Sequence, residues 1–179
     1  FYRPFSNTIL SPSCFTHEFG SKHIKFPSYM ELSYLHPNVF EPDEGVLRHL
    51  GVENGQSYVI VRFVGWGAAH DIGHGGISVE NKIKAVKSFE KKAKVFISSE
   101  SELPPELAKY EYDLPPEKMH DALAFASMFY GESATMASES AVLGTPAIYL
   151  DNEGRGYTDE QEEKYGLVFN FSESEEDQK

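Results

Sequence analysis

SMFYGESATMASESAVLGTPAIYL, residues 127–150, reads as strand, helix and strand in succession. SMFYG is a short apolar and aromatic run, ATMASESAVLG consists of good helix formers stopped by glycine, and TPAIYL resumes an apolar run. The joint between the first strand and the helix is made of small residues. Ser133, Ala134 and Thr135 stand at the helix start, and Glu139 follows about one turn in. Two readings of that joint stand side by side. Ser133 or Thr135 serves as an ordinary N-cap and Glu139 is an exposed acid. Alternatively, the N–H groups and hydroxyls of 131–135 cradle an anion, and Glu139 accepts hydrogen bonds from a ribose cis-diol.

The same alternation runs in both directions. Upstream, Asp43 can cap a helix carrying Val46, Leu47 and Leu50, stopped by Gly51. SYVIVRFVGW, from Ser57, is the apolar, β-branched run of a strand covered on both faces. Val79, Ile83, Val86 and Phe89 recur with helical period, with six lysines between 82 and 94 outside. KVFISSE is a second strand, ELPPELAKYEYDLPP a connector, and EKMHDALAFA a helix with Met119, Ala122, Leu123 and Ala126 on one face. Downstream, TDEQEEKYG and LVFNF continue the pattern. Residues 1–40 read as irregular apart from a strand-like piece at Thr8–Ser11. The prediction is an α/β fold: a Rossmann-like parallel sheet with helices on both faces.

Ligands of such sheets bind beyond the carboxyl ends of the strands. That rule selects the loops 65–78, 99–103 and 131–135, with the acidic loop 151–158 after the fourth strand. GWGAAHDIGHGG, residues 65–76, holds five glycines. It is no Walker A motif, lacking Gly-Lys-Ser/Thr, and no dinucleotide fingerprint, because His70 stands where the third glycine belongs. Arg62, just before it, is a candidate phosphate clamp. Gly67 and His70 are candidate phosphate or sugar contacts, with plain loop structure as the alternative. His70 and His74 are spaced for a metal only on a helix, and glycines 73, 75 and 76 oppose one, so no metal or cofactor is expected. No nucleophile paired with a base is identifiable.

Composition narrows the partners. The net charge is −12, and residues 151–179 hold ten acids against Arg155, Lys164 and Lys179, or −7 of it. A field of that sign argues against nucleic acid as partner. No apolar run approaches the roughly 20 residues of a membrane span. FYRPFSNTIL lacks the basic and apolar regions of a signal peptide. The single cysteine, Cys14, excludes an internal disulfide and suits a reducing cytosol, so the expected location is cytoplasmic.

SATMASESAVLGTPAIYL resembles the donor-site segment of GT-B nucleotide-sugar enzymes, where a small-residue turn precedes a helix carrying a ribose-binding Glu. The chain is also similar to a microbial family classed as a domain of unknown function and assigned to that fold. The shared motifs are Tyr34-Leu35-His36-Pro37, Arg62-Phe63, His70-Asp71-Ile72-Gly73, Ser98-Ser99-Glu100, Leu103-Pro104, Pro116 to Asp121, and Ala134-Thr135-Met136. The resemblance implies the C-terminal half of a GT-B fold. Residues 1–40 would be the tail of an N-terminal half with the interdomain crossing, 41–171 the nucleotide-sugar domain and 172–179 an acidic tail. Glu139 would hold the ribose, Ser133, Ala134 and Thr135 the diphosphate, and Arg62, Gly67 and His70 would face phosphates or sugar. Backbone near Leu114 would meet the base. The implied partners are a UDP-sugar and the missing N-terminal half. The implied activity is glycosyl transfer, with a non-hydrolysing UDP-N-acetylglucosamine 2-epimerase or a non-catalytic binding module as alternatives. Glu132, beside the diphosphate site, must point away or be offset by Arg62.

Overall fold

The apolar run at 58–63 is a strand because its alternate side chains have two separate cores to enter. Tyr58 and Ile60 pack into one, Val59, Val61 and Phe63 into the other, and all five are nearly fully buried. The computed structural model describes residues 3–65, 75–152, 154–174 and 176–178.

Two short strands, β1 (Ile9–Pro12) and β2 (His23–Phe26), pair in parallel near the start of the chain. Residues 1–40 are therefore more regular than their polar, proline-broken sequence suggests. The strand-like piece expected at Thr8–Ser11 is β1, whereas β2, four residues long, leaves too few positions for an alternating pattern to register. The short helices α1 (Leu32–Leu35) and α2 (Gly45–His49) follow. The N-cap of α2 is Glu44 rather than the expected Asp43, which instead accepts the Gly45 N–H at 2.8 Å just before the helix, and Gly51 stops the segment as expected.

The main sheet contains β3 (Tyr58–Phe63), β4 (Lys94–Ser99), β5 (Met128–Gly131), β6 (Ala147–Leu150) and β7 (Val168–Phe171), all parallel, in the order β4-β3-β5-β6-β7. Helix α3 (Val79–Phe89) covers one face through Val86, Ile83 and Phe89. Helices α4 (Met119–Ala124) and α5 (Ala134–Val142), with α2, cover the other. The predicted α/β Rossmann-like architecture is thus present. α6 (Gly156–Glu160) runs on into a wide turn, Gln161–Tyr165, whose buried Gln161 donates to Ser138 Oγ on α5 at 2.9 Å.

Helix ends are satisfied by neighbours. The Ala122 and Leu123 carbonyls at the end of α4 accept from Tyr58 Oη at 2.6 Å and Thr145 Oγ1 at 2.7 Å. Gly144, at φ +88°, turns the chain out of α5 in a conformation that costs other residues about 1 kcal/mol or more. Strand order reverses between β3 and β5, so the loops after them leave toward opposite faces and open a crevice. Of the residues expected to bind ligand, Arg62 and Ser133 to Thr135 flank this point.

Candidate functional site

Arg62 and Gly131 are register partners across the crevice, and the Glu132 N–H donates to the Arg62 carbonyl at 3.1 Å. Gly131 is required by that closeness: a Cβ there would lie 2.2 Å from the Arg62 carbonyl oxygen. One residue later the chain turns into α5. Ser133 is its N-cap, with Oγ accepting the Met136 N–H at 3.4 Å. Helix punctuation is therefore one role of the joint. The cap satisfies one of the donors at the helix start, and the Ala134 and Thr135 N–H groups have no partner among the described residues. Thr135 is exposed at this mouth.

Glu132 turns to the opposite side from the Ser133 mouth. Its carboxylate is buried and accepts from the Val64 N–H at 2.9 Å and the Ile77 N–H at 2.6 Å, with Lys82 Nζ at 3.4 Å. Lys82 also lies 4.6 Å from the Phe63 ring centroid. Of the two ways to accommodate this acid, the structure takes the first, and its counter-cation is Lys82 of α3, not Arg62. Glu132 ties together the two ends of the glycine-rich loop. Gly67 and His70, with His74, lie outside the described residues. Among those residues no group of three His, Cys, Asp or Glu could hold a metal ion.

The Arg62 side chain is engaged on the α4–α5 side. It donates to Ser98 Oγ at 2.5 Å and to Glu100 Oε1 at 2.6 Å, so the Ser98-Ser99-Glu100 strand end fixes the guanidinium. Tyr112 packs edge-on against Phe96, and burial raises its hydroxyl to about 12, with Arg62 opposing the shift. The expected extended piece reaches the sheet through a parallel bridge, Ile97 to Glu111. Leu114 follows, half-buried against the α4 side of the core.

Glu139 stands six residues after the N-cap, deeper than the one turn expected, or about 9 Å along the axis at 1.5 Å per residue. It is 8% exposed, not a solvated first-turn acid. Oε1 accepts from Tyr34 Oη at 3.0 Å and stands 3.0 Å from His120 Nε2, while Oε2 has no partner among the described residues. The Tyr34 ring packs 5.5 Å from the His120 ring, and Phe40 meets His120 edge-on at 6.1 Å. Burial first, then Glu139, raises the Tyr34 hydroxyl above the ordinary tyrosine range, so it remains a donor. Tyr34 and His120 were not recognised as site residues from the sequence. Both lie within motifs that carried the resemblance, but only the fold brings positions 34, 120 and 139 together.

The site residues fall into two groups. Arg62 and Ser133 to Thr135 belong to the crevice at the strand-order reversal, whereas Glu139 belongs to a cluster with Tyr34 and His120. No helix is long and apolar enough to cross a membrane, among the described residues. The sequence matches no protein-family model and no curated protein. Among solved structures, its fold is similar to the UDP-GlcNAc 2-epimerase of Methanocaldococcus jannaschii: TM-score 0.62 at 12% identity, over 98% of this chain and 54% of that one. A second is KpsC, the β-Kdo 2,7 transferase of Thermosulfurimonas dismutans, at TM-score 0.45 and 16% identity, over 81% of this chain and 52% of that one. The chain thus spans about half the length of the solved chains it is similar to.

Proposed function

We propose that the chain is the nucleotide-sugar-binding half of a glycosyltransferase-like enzyme, with a UDP-sugar as ligand. The observation that carries this reading is Glu139, a buried carboxylate held by Tyr34 and His120 on one oxygen, with its other oxygen unpartnered among the described residues. A ribose cis-diol supplies the hydrogen bonds that such a group lacks. The Ala134 and Thr135 N–H groups, together with the positive end of α5, favour the diphosphate. Arg62, fixed by Glu100 and Ser98, lies one strand over and stabilises the charge that builds on a departing diphosphate. Backbone near Leu114 meets the nucleobase, and the 65–76 loop with Gly67 and His70 faces the phosphates or sugar. In this scheme residues 1–40 continue from an N-terminal half that supplies the acceptor contacts and the catalytic base, and 172–179 form an acidic tail.

The fold likeness to a UDP-GlcNAc 2-epimerase favours a second reading, in which the same ribose and diphosphate contacts serve epimerisation. Titration calorimetry with UDP, UDP-N-acetylglucosamine, GDP, ADP and phosphate, with and without EDTA, tests the shared core of both. UDP-selective, EDTA-insensitive binding is expected. Failure of every nucleotide to bind overturns it. Incubating the chain joined to its N-terminal half with UDP-N-acetylglucosamine separates transfer from epimerisation, since only the epimer forms without an acceptor.

A further inference from the structure

A cavity of about 450 Å³ lies where the segment after β1 and the turn before α1 meet the start of α6. That volume is within the roughly 300–1,000 Å³ of small-molecule sites. Its wall is formed by Cys14, Phe15, Met30, Glu31, Arg155 and Tyr157. The two sides are in direct backbone contact, because a Cβ on Gly156 would fall 2.2 Å from the Cys14 carbonyl oxygen. The contact is close enough to make glycine necessary at that position, so the cavity is built by the fold.

Glu31 is the informative residue. It is 7% exposed, lines the cavity, and its carboxylate has no hydrogen bond or ion pair among the described residues. Two basic residues share the wall with it: Arg155, committed elsewhere to Asp151 at 3.3 Å, and the exposed His17, which makes no ion pair with Glu31. Lys164, whose charge acts on Cys14, is held by Glu160 at 2.6 Å. A largely buried carboxylate that opens onto a cavity without an ionic partner is a favourable place for a cation. Among the described residues every other buried carboxylate has a partner: Glu132 has Lys82, Asp121 has Lys118, and Glu139 has His120 and Tyr34. Glu31 therefore lacks a cationic donor, and the cavity has room for one. The chain's net charge of −12 draws small cations toward it.

We infer that this cavity is a binding site for a small organic primary amine, whose ammonium group pairs with Glu31 while its body packs on Phe15, Met30 and Tyr157. The inference is independent of the nucleotide reading, because none of these residues belongs to the Glu139 cluster or the crevice.

Glucosamine and glucose, which differ by an ammonium in place of a hydroxyl, are the matched probes, with ethanolamine as a second amine. Binding is followed by saturation-transfer NMR titration at slightly acidic pH and constant ionic strength. Glucosamine and ethanolamine should bind saturably, and glucose at least ten-fold more weakly. Glu31→Gln, which preserves shape and removes the charge, should weaken amine binding ten-fold or more. Wild-type protein alkylated with N-ethylmaleimide at Cys14, its single cysteine, should likewise lose the amines while its far-UV circular dichroism stays unchanged. The alkylated protein keeps the test decisive should Glu31→Gln not fold. Equal binding of glucose, absence of amine binding, or undiminished binding to either altered protein would each overturn the inference.

Discussion

Replacing Glu139 by glutamine tests the central assignment, because it changes charge and almost nothing else. The amide oxygen can still accept from Tyr34, and the side chain still fills its place between α1, α4 and α5. A hydrogen bond to a charged group contributes about 1.5–3 kcal/mol, against about 0.5–1.5 for a neutral one. If both ribose hydroxyls donate to the carboxylate, the variant loses about 2–3 kcal/mol of nucleotide affinity. At 1.4 kcal/mol per factor of ten, the dissociation constant rises roughly 30- to 150-fold. Folding should change by less than about 1 kcal/mol, since Tyr34 is 42% exposed and can rehydrate. Calorimetric titration of UDP and 2′-deoxy-UDP into both proteins completes a cycle. In the wild type the missing hydroxyl should weaken binding about ten-fold or more. In the variant it should make little further difference, because the two changes remove the same contact. Equal affinity of the wild type for the two nucleotides, or an unchanged constant in the variant, would refute the ribose assignment and return Glu139 to a structural role.

Glu132→Ala strands the Val64 and Ile77 N–H groups and leaves Lys82 without its carboxylate; it should lower unfolding free energy by about 3–5 kcal/mol in urea titrations. Lys82→Met, which retains the packing on Phe63, should cost less. Gly131→Ala must force β3 and β5 apart, a loss of about 3 kcal/mol or more measurable as a lowered midpoint. The Glu160 carboxyl is held below its usual range by Lys164 and then by Tyr29. Its contribution is present above the ordinary carboxylate value of about 4.3 and is lost as pH falls through the lowered one. Melting temperature in that acid window should fall more steeply in the wild type than in Glu160→Gln. Asp159, raised by burial and then by Glu163 and Glu162, has the opposite sign. It favours the folded state at low pH and loses that effect as pH rises through its raised value, so Asp159→Asn should remove that part of the curve.

The sequence by itself determined the layers. The run at 58–63, the helical period of Val79, Ile83, Val86 and Phe89, and the strand–helix–strand stretch at 127–150 each encode burial locally, and together they require a covered parallel sheet. The ends of α5 were equally legible, since Ser133 and Gly144 act on groups within a few residues of themselves. The surroundings of each acid were not legible. Glu132 and Glu139 are seven residues apart in one segment, yet one faces Lys82 and the loop ends while the other faces Tyr34 and His120. Their partners are 50 and 105 residues away from Glu132 and Glu139 respectively in Lys82 and Tyr34, and neither composition nor period carries that information. Glu31 makes the same point, because its cavity exists only where the backbone at Gly156 meets that at Cys14. Periodicity records which side chains leave water, but which groups then meet inside is set by strand order and helix packing. That is why the tertiary structure alone decided the chemistry at these three carboxylates.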